Sequence, residues 1–117
     1  MSDTHDFDLL VIGSGPAGQS AAIQASKLHK RVALIEKRRR VGGVCTFTGT
    51  IPSKTLREAI ISSVGGNADD EFGIRKRPEM ADLIARVDAV IASETRVVRN
   101  SLARNDITML EGEASFV

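Results

Sequence analysis

Phe7-Asp8-Leu9-Leu10-Val11-Ile12-Gly13-Ser14-Gly15-Pro16-Ala17-Gly18 is a short apolar run that breaks into three glycines, Gly13, Gly15 and Gly18. The apolar half predicts a buried strand and the glycine half a strand-to-helix turn. Each glycine meets a separate steric demand. Gly13 permits the tight turn, Gly15 lets the main chain approach a pyrophosphate, and Gly18 lets the next helix lie close to the strand. An anion in that turn would face the free N–H groups and positive dipole end of the helix.

Glycines at this spacing carry weight only in the right surroundings, and the flanking sequence supplies them. Pro16 suits a first helical turn, where its missing N–H costs nothing. Ala17, Ala21, Ala22, Ala25 and Leu28 fall at helical spacing, a small-residue face able to pack on a sheet. Lys27, Lys30 and Arg31 close the helix with cations. A second apolar run, Val32 to Ile35, ends in Glu36, 18 residues beyond Gly18. That offset is close to the roughly 20 residues at which a carboxylate reaches ribose hydroxyls. Strand, glycines, helix, strand and acid in this order predict an α/β fold with a parallel sheet and flanking helices, Rossmann-like in its opening. The competing reading is a plain βαβ turn with a solvated Glu36.

Lys37-Arg38-Arg39-Arg40 then leaves the C-terminal edge of the sheet, where open α/β folds bind ligands. It reads either as a solvated turn with one cation, Lys37, against a nucleotide, or as a 2′-phosphate site. Glu36 would repel a 2′-phosphate at close range, so a ribose with free hydroxyls is expected, as in FAD or NAD.

With 117 residues the chain is long enough for one modest core but short for a complete dinucleotide-binding sheet, so a fragment is expected. A net charge of +1 points to neither a polyanion nor a membrane surface, and 3% aromatic residues leave few platforms for stacking bases. The start Met-Ser-Asp-Thr-His-Asp lacks a basic, apolar leader and no apolar run reaches spanning length, so a cytoplasmic protein is expected. Cys45 is the single cysteine and cannot close a disulfide within the chain. His5 and His29 stand apart from acids and thiols, and no metal role is assigned to either.

Val41-Gly42-Gly43-Val44-Cys45-Thr46-Phe47-Thr48-Gly49-Thr50-Ile51-Pro52-Ser53-Lys54 makes the reading specific. It resembles the active-site segment of the pyridine nucleotide-disulfide oxidoreductases, FAD enzymes in which Gly-Gly-x-Cys leads through four residues to a second cysteine and then Ile-Pro-Ser-Lys. Gly42, Gly43, Cys45, Gly49, Ile51, Pro52, Ser53 and Lys54 match, and Thr50 stands where the second cysteine belongs. Without that thiol a reduced flavin must return its electrons another way, most simply as hydride to a second nicotinamide. The segment is similar to that of the soluble pyridine nucleotide transhydrogenase branch, and the resemblance implies an FAD-dependent, Si-specific exchange of hydride between NADPH and NAD. It also implies a homo-oligomeric parent whose NAD(P)-binding and dimerisation domains lie outside residues 1–117, these being the N-terminal part of the FAD-binding domain, inactive alone.

The cofactor-binding set that follows is Gly13, Gly15, Pro16, Ala17, Gly18, Glu36, Lys37, Gly42, Gly43, Val44, Cys45, Lys54, Gly112 and Ala114, with Cys45 and Thr50 as candidates at the reacting centre. Gly42 and Gly43 would let the backbone approach a flat ligand, and Pro52 would open a helix running to about Val64 with Lys54 in its first turn and Leu56, Ala59, Ile60 and Val64 packed inward. Gly65 to Pro78 reads as a surface connection. Met80, Leu83, Val87, Val90, Ile91, Val97, Val98 and Leu102 predict a long amphipathic helix from Glu79 to Asn105. Ile107 to Leu110 is then a third strand, Glu111 to Ala114 a bend, and Ser115 to Val117 a renewed strand. The resemblance implies that the main chain of Gly112 to Ala114 holds the adenine of FAD; an ordinary bend is the alternative. Two rival functions remain at this point: a flavin reductase or oxidase using Cys45 as a single redox thiol, and a non-catalytic dinucleotide-binding module.

Overall fold

A computed structural model describes residues 5–65 and 79–117. Strand β1 is Leu9–Ile12, helix α1 Pro16–Lys27 and strand β2 Val32–Glu36. Helices α2, Gly43–Phe47, and α3, Thr50–Gly65, follow, then α4, Met80–Arg104, and strand β3, Thr108–Glu111. The expected surface connection falls mostly on 66–78, outside the described residues.

The three strands form one parallel sheet in the order β1-β2-β3. Leu9 pairs with Val32 and Ile12 with Ile35, while Ala33 pairs with Thr108 and Glu36 with Glu111. As the central strand, β2 is covered on both faces, which is why Val32-Ala33-Leu34-Ile35 is apolar without alternation. Ala22, Val32, Leu34, Val41, Val98, Leu102 and Ile107 make the core, so α1 and α4 both pack on the sheet.

The two helices end alike. After Leu28, His29 takes φ 58° and Lys30 N–H donates back to Ala25 O at 3.2 Å; after Asn105, Asp106 takes φ 52° and Ile107 N–H donates to Leu102 O at 3.2 Å. Each is a left-handed cap that turns the chain directly into the next strand. Ser26 Oγ donates to Asn105 O at 2.5 Å and so ties the end of α1 to the end of α4.

Several helix faces differ from the expected ones. On α1 the buried residue is Ala22, with Ile23 and Ala25 packed against the core, whereas Ala17 and Ala21 are exposed and Leu28 lies beyond the last turn. On α3 only Ala59 is buried among the described side chains; Leu56 and Ile60 are exposed. On α4 Leu83, Val98 and Leu102 are buried, but Met80 and Val97 face outward. Residues 115–117 form no strand: after Glu111 the ladder has ended, and among the described residues no further strand lies beside β3.

Candidate functional site

The C-terminal ends of β1, β2 and β3 converge on one edge of the sheet, and Gly13, Glu36, Lys37, Gly112 and Ala114, singled out by sequence, gather there, whereas Thr50 and Lys54 lie on α3 and do not line it. Gly13 N–H donates to Ile35 O at 2.8 Å, which carries the end of β1 along β2 before the chain turns into α1 with Gly13 at φ 94°. The first ladder bond of α1 runs from Gln19 N–H to Gly15 O at 2.9 Å, which leaves the N–H groups of Ala17 and Gly18 without ladder partners. No acidic side chain occupies the first turn and no side chain caps it, so the positive end of the helix is open to an anion.

The glycines divide by what surrounds them. A Cβ on Gly15 would meet nothing within 4 Å, while a Cβ on Gly18 would collide with Gly13 O and come within 3.2 Å of Val11 Cγ1. Gly18 therefore serves helix-to-strand packing, and Gly15 borders free space.

Glu36, at the end of β2, is 8% exposed. Its Oε2 accepts from Ser14 N–H at 3.0 Å and from Ser14 Oγ at 2.5 Å, and its Oε1 accepts from Arg38 N–H at 3.0 Å. Burial alone would push this carboxyl upward. The bonds from Ser14 Oγ, Arg38 N–H and Ser14 N–H, with the Arg38 charge, outweigh burial and hold it below the usual glutamate range. Glu36 is thus an oriented, ionised acceptor rather than a solvated side chain.

Ser14 is the residue that sequence reading passed over. It is fully buried, and besides donating to Glu36 its Oγ accepts from Gly42 N–H at 3.0 Å, while its carbonyl accepts from Gln19 Nε2 at 2.7 Å. The available signal was a hydroxyl residue between two glycines of a turn that must sit near a buried acid.

Gly42 and Gly43 meet a steric demand within the chain as well. Gly42 is at φ 132°, where a Cβ would lie 2.5 Å from Thr46 Oγ1, and a Cβ on Gly43 would lie 2.8 Å from Gly15 Cα. Their smallness lets the chain entering α2 nest on the Gly13–Gly18 turn. The short helix α2 holds exposed Val44 and half-buried Cys45 beside that turn. Thr50 is the first residue of α3, so Lys54, exposed, stands in the second turn and not the first.

A cleft of about 230 Å³ lies between the strand ends, lined by Ile12, Gly13, Ile35, Glu36, Lys37, Gly112, Glu113 and Ala114. Gly112 N–H donates to Glu36 O at 3.0 Å, which brings the 112–114 bend opposite Gly13. Lys37 Nζ and Glu113 Oε1, 3.6 Å apart, form an exposed ion pair beside it. A larger cleft of about 680 Å³, between Arg40 and the Asp88–Asn100 part of α4, contains none of the residues expected to bind a nucleotide. The chemistry therefore points to the smaller cleft: open space at Gly13 and Gly15 for a phosphate, and a fixed carboxylate for a hydroxyl. A dinucleotide such as FAD fits this donor and acceptor set.

Among the described residues no helix is long and apolar enough to cross a membrane, and no group of three or more His, Cys, Asp and Glu could hold a metal ion.

Comparison with known proteins places the chain among relatives of known kind. The chain is 48% identical over 117 residues to a soluble pyridine nucleotide transhydrogenase of Mycobacterium bovis, covering 97% of this chain and 25% of that protein. It is 40% identical over 120 residues to the soluble pyridine nucleotide transhydrogenase of Escherichia coli O1:K1 / APEC, covering 100% of this chain and 26% of that one. It thus spans about a quarter of the length of these relatives. The Cu(II) complex of the HOCl-induced flavoprotein disulfide reductase RclA from Escherichia coli superimposes with a TM-score of 0.79 at 27% identity, over 97% of this chain and 23% of that chain. The sequence profile of FAD dependent oxidoreductases matches residues 8–104, most of the chain, and the chain belongs to that family.

Proposed function

We propose that the protein to which this chain contributes is an FAD-dependent NAD(P)+ transhydrogenase, Si-specific, exchanging hydride between NADPH and NAD. The observation that carries the reading is Gly42-Gly43-Val44-Cys45 seated on the phosphate turn, with Thr50 rather than a second cysteine at the start of α3. The names of the relatives at 48% and 40% identity support it.

FAD, when bound, supplies a two-electron carrier that can accept hydride from one nicotinamide and return it to another. The chain's own residues bind and orient. The Ala17 and Gly18 N–H groups and the α1 dipole take the pyrophosphate, with Gly13, Gly15 and Pro16 shaping the approach. Glu36 accepts from a ribose hydroxyl, Lys37 stands at the edge of the cleft, and the Gly112 to Ala114 backbone faces the adenine end. Val44, Cys45 and Lys54 flank the other end, where the Lys54 cation favours negative charge on the carrier. Cys45 has no partner thiol among these 117 residues, so no disulfide formed within them would be available to take electrons from bound FAD. In this reading the chain is the N-terminal part of the FAD-binding domain of a cytoplasmic homo-oligomer, with nicotinamide nucleotides as its substrates.

The test uses the full-length protein. A flavin absorption spectrum, reduction of an NAD analogue by NADPH, and negligible reduction of lipoamide or glutathione disulfide are expected. A colourless protein, or one that reduces those disulfides and passes no hydride between nicotinamides, would overturn the reading.

A further inference from the structure

Glu36 has a partner that the site does not otherwise require. A carboxylate meant to meet a ribose hydroxyl could be left to solvent, but here both hydrogen-bonding groups of Ser14 close on Oε2, and the same Oγ receives Gly42 N–H. A hydroxyl has one proton to give; with that proton on Glu36, its lone pairs are free to accept from Gly42. The phosphate turn therefore shares one buried oxygen with the end of β2 and the entrance to α2, segments more than twenty residues away from it.

We infer that Ser14 is the positioning residue of the nucleotide site, its hydroxyl fixing the Glu36 carboxylate toward the ribose and, through Gly42, seating the Cys45 segment on the phosphate turn. The inference rests on the reading of the cleft as an FAD site. Ser14 touches no ligand by this account; it acts through Glu36 and Gly42. Removing Oγ leaves Gly42 N–H buried without its acceptor and takes from Glu36 its shortest bond, so the carboxylate both loses orientation and binds a proton more readily. Other charges around Glu36 stay as they are: Lys37, Arg38 and Arg39 from its own loop, Arg99 from α4, and Glu111 and Glu113 at the end of β3. The first turn of α1 adds no acid. A change in the protonation of Glu36 on altering Ser14 is thus attributable to the hydroxyl.

The experiment reconstitutes full-length apoprotein with FAD and reads the dissociation constant by flavin fluorescence between pH 4 and 8, for the wild type, Ser14→Ala, Glu36→Gln and the double variant. Ser14→Ala is expected to weaken FAD binding by about tenfold at neutral pH. It should also move the acid limb of binding to higher pH, while Glu36→Gln shows no such limb and the double variant, also without a limb, loses beyond Glu36→Gln only the smaller, pH-independent part of the effect that runs through Gly42. Ser14→Cys, which keeps the volume but offers only a weak S–H donor, should reproduce the shifted limb and serves if the alanine variant does not fold. Loss of affinity equal at every pH, or effects of the two substitutions that multiply, would mean that Ser14 merely fills space and overturns the inference, as does a wild type that takes up no FAD. A protein that shows the shifted limb but passes no hydride to NAD sustains the role of Ser14 and removes the transhydrogenase reading alone.

Discussion

A methyl group at position 18 would strike the Gly13 carbonyl and Val11, whereas one at position 15 would enter open space with the backbone at an ordinary φ of −68°. Two adjacent members of one motif can therefore be told apart. Gly18→Ala should destabilise the full-length protein by about 1–3 kcal/mol, because the obstructing atom is backbone. Gly15→Ala should unfold at nearly the wild-type temperature yet retain less flavin, and thermal melts beside flavin-to-protein ratios separate the effects. At Glu36 the folded carboxyl binds its proton less readily than the ordinary glutamate with its value of 4.5. The unfolded chain thus takes up the extra proton first as the pH falls, and the stability due to Glu36, complete well above 4.5, is lost as the pH drops through the lower folded value. Urea midpoints measured from pH 7 to 3.5 should fall less steeply in Glu36→Gln. Glu36 was visible in the sequence as an acid at a telling distance from Gly18; its buried partner was not. Ser14 shows neither periodicity nor charge, and only the three-dimensional approach of β2 gives its hydroxyl a purpose.

At the scale of elements, the strands and long helices announce themselves through apolar runs and turn residues, and their existence was legible. Which face they bury was less so. Leu56 and Ile60 lie at helical spacing and yet stand exposed on α3, since spacing reports that a stripe exists and not what covers it. The five-residue α2 was hidden because one turn and a half of helix has no room for a period. The caps were hidden for another reason: left-handed turns favour glycine, and here they fall on His29 and Asp106. Asp106 carries that backbone at an energetic cost that glycine would not, so Asp106→Gly should leave the fold unchanged and stabilise it by up to about 1 kcal/mol, read as a higher denaturation midpoint.

For the whole molecule, a parallel sheet that gathers a phosphate turn and a carboxylate on one edge could be inferred from residues 7–36, whereas the place of 112–114 opposite Gly13 needed the fold. Chemistry at this scale turns on Cys45. If the electron pair leaves on a nicotinamide, Cys45→Ser should keep most of the transhydrogenation rate in the full-length protein; a single-thiol reductase would lose turnover. Steady-state rates with NADPH and an NAD analogue decide between them.

The bond from Gly112 to Glu36 joins points with helices α2, α3 and α4 strung between them. Closing so long a stretch is entropically costly before any contact forms, while β1 and β2 meet across a single helix. The early βαβ unit is thus expected to assemble first, with a phosphate turn but one wall of the cleft missing. Capture of the dinucleotide then marks the end of folding and not its onset, and a chain stalled before β3 docks would offer its ligand only half a grip.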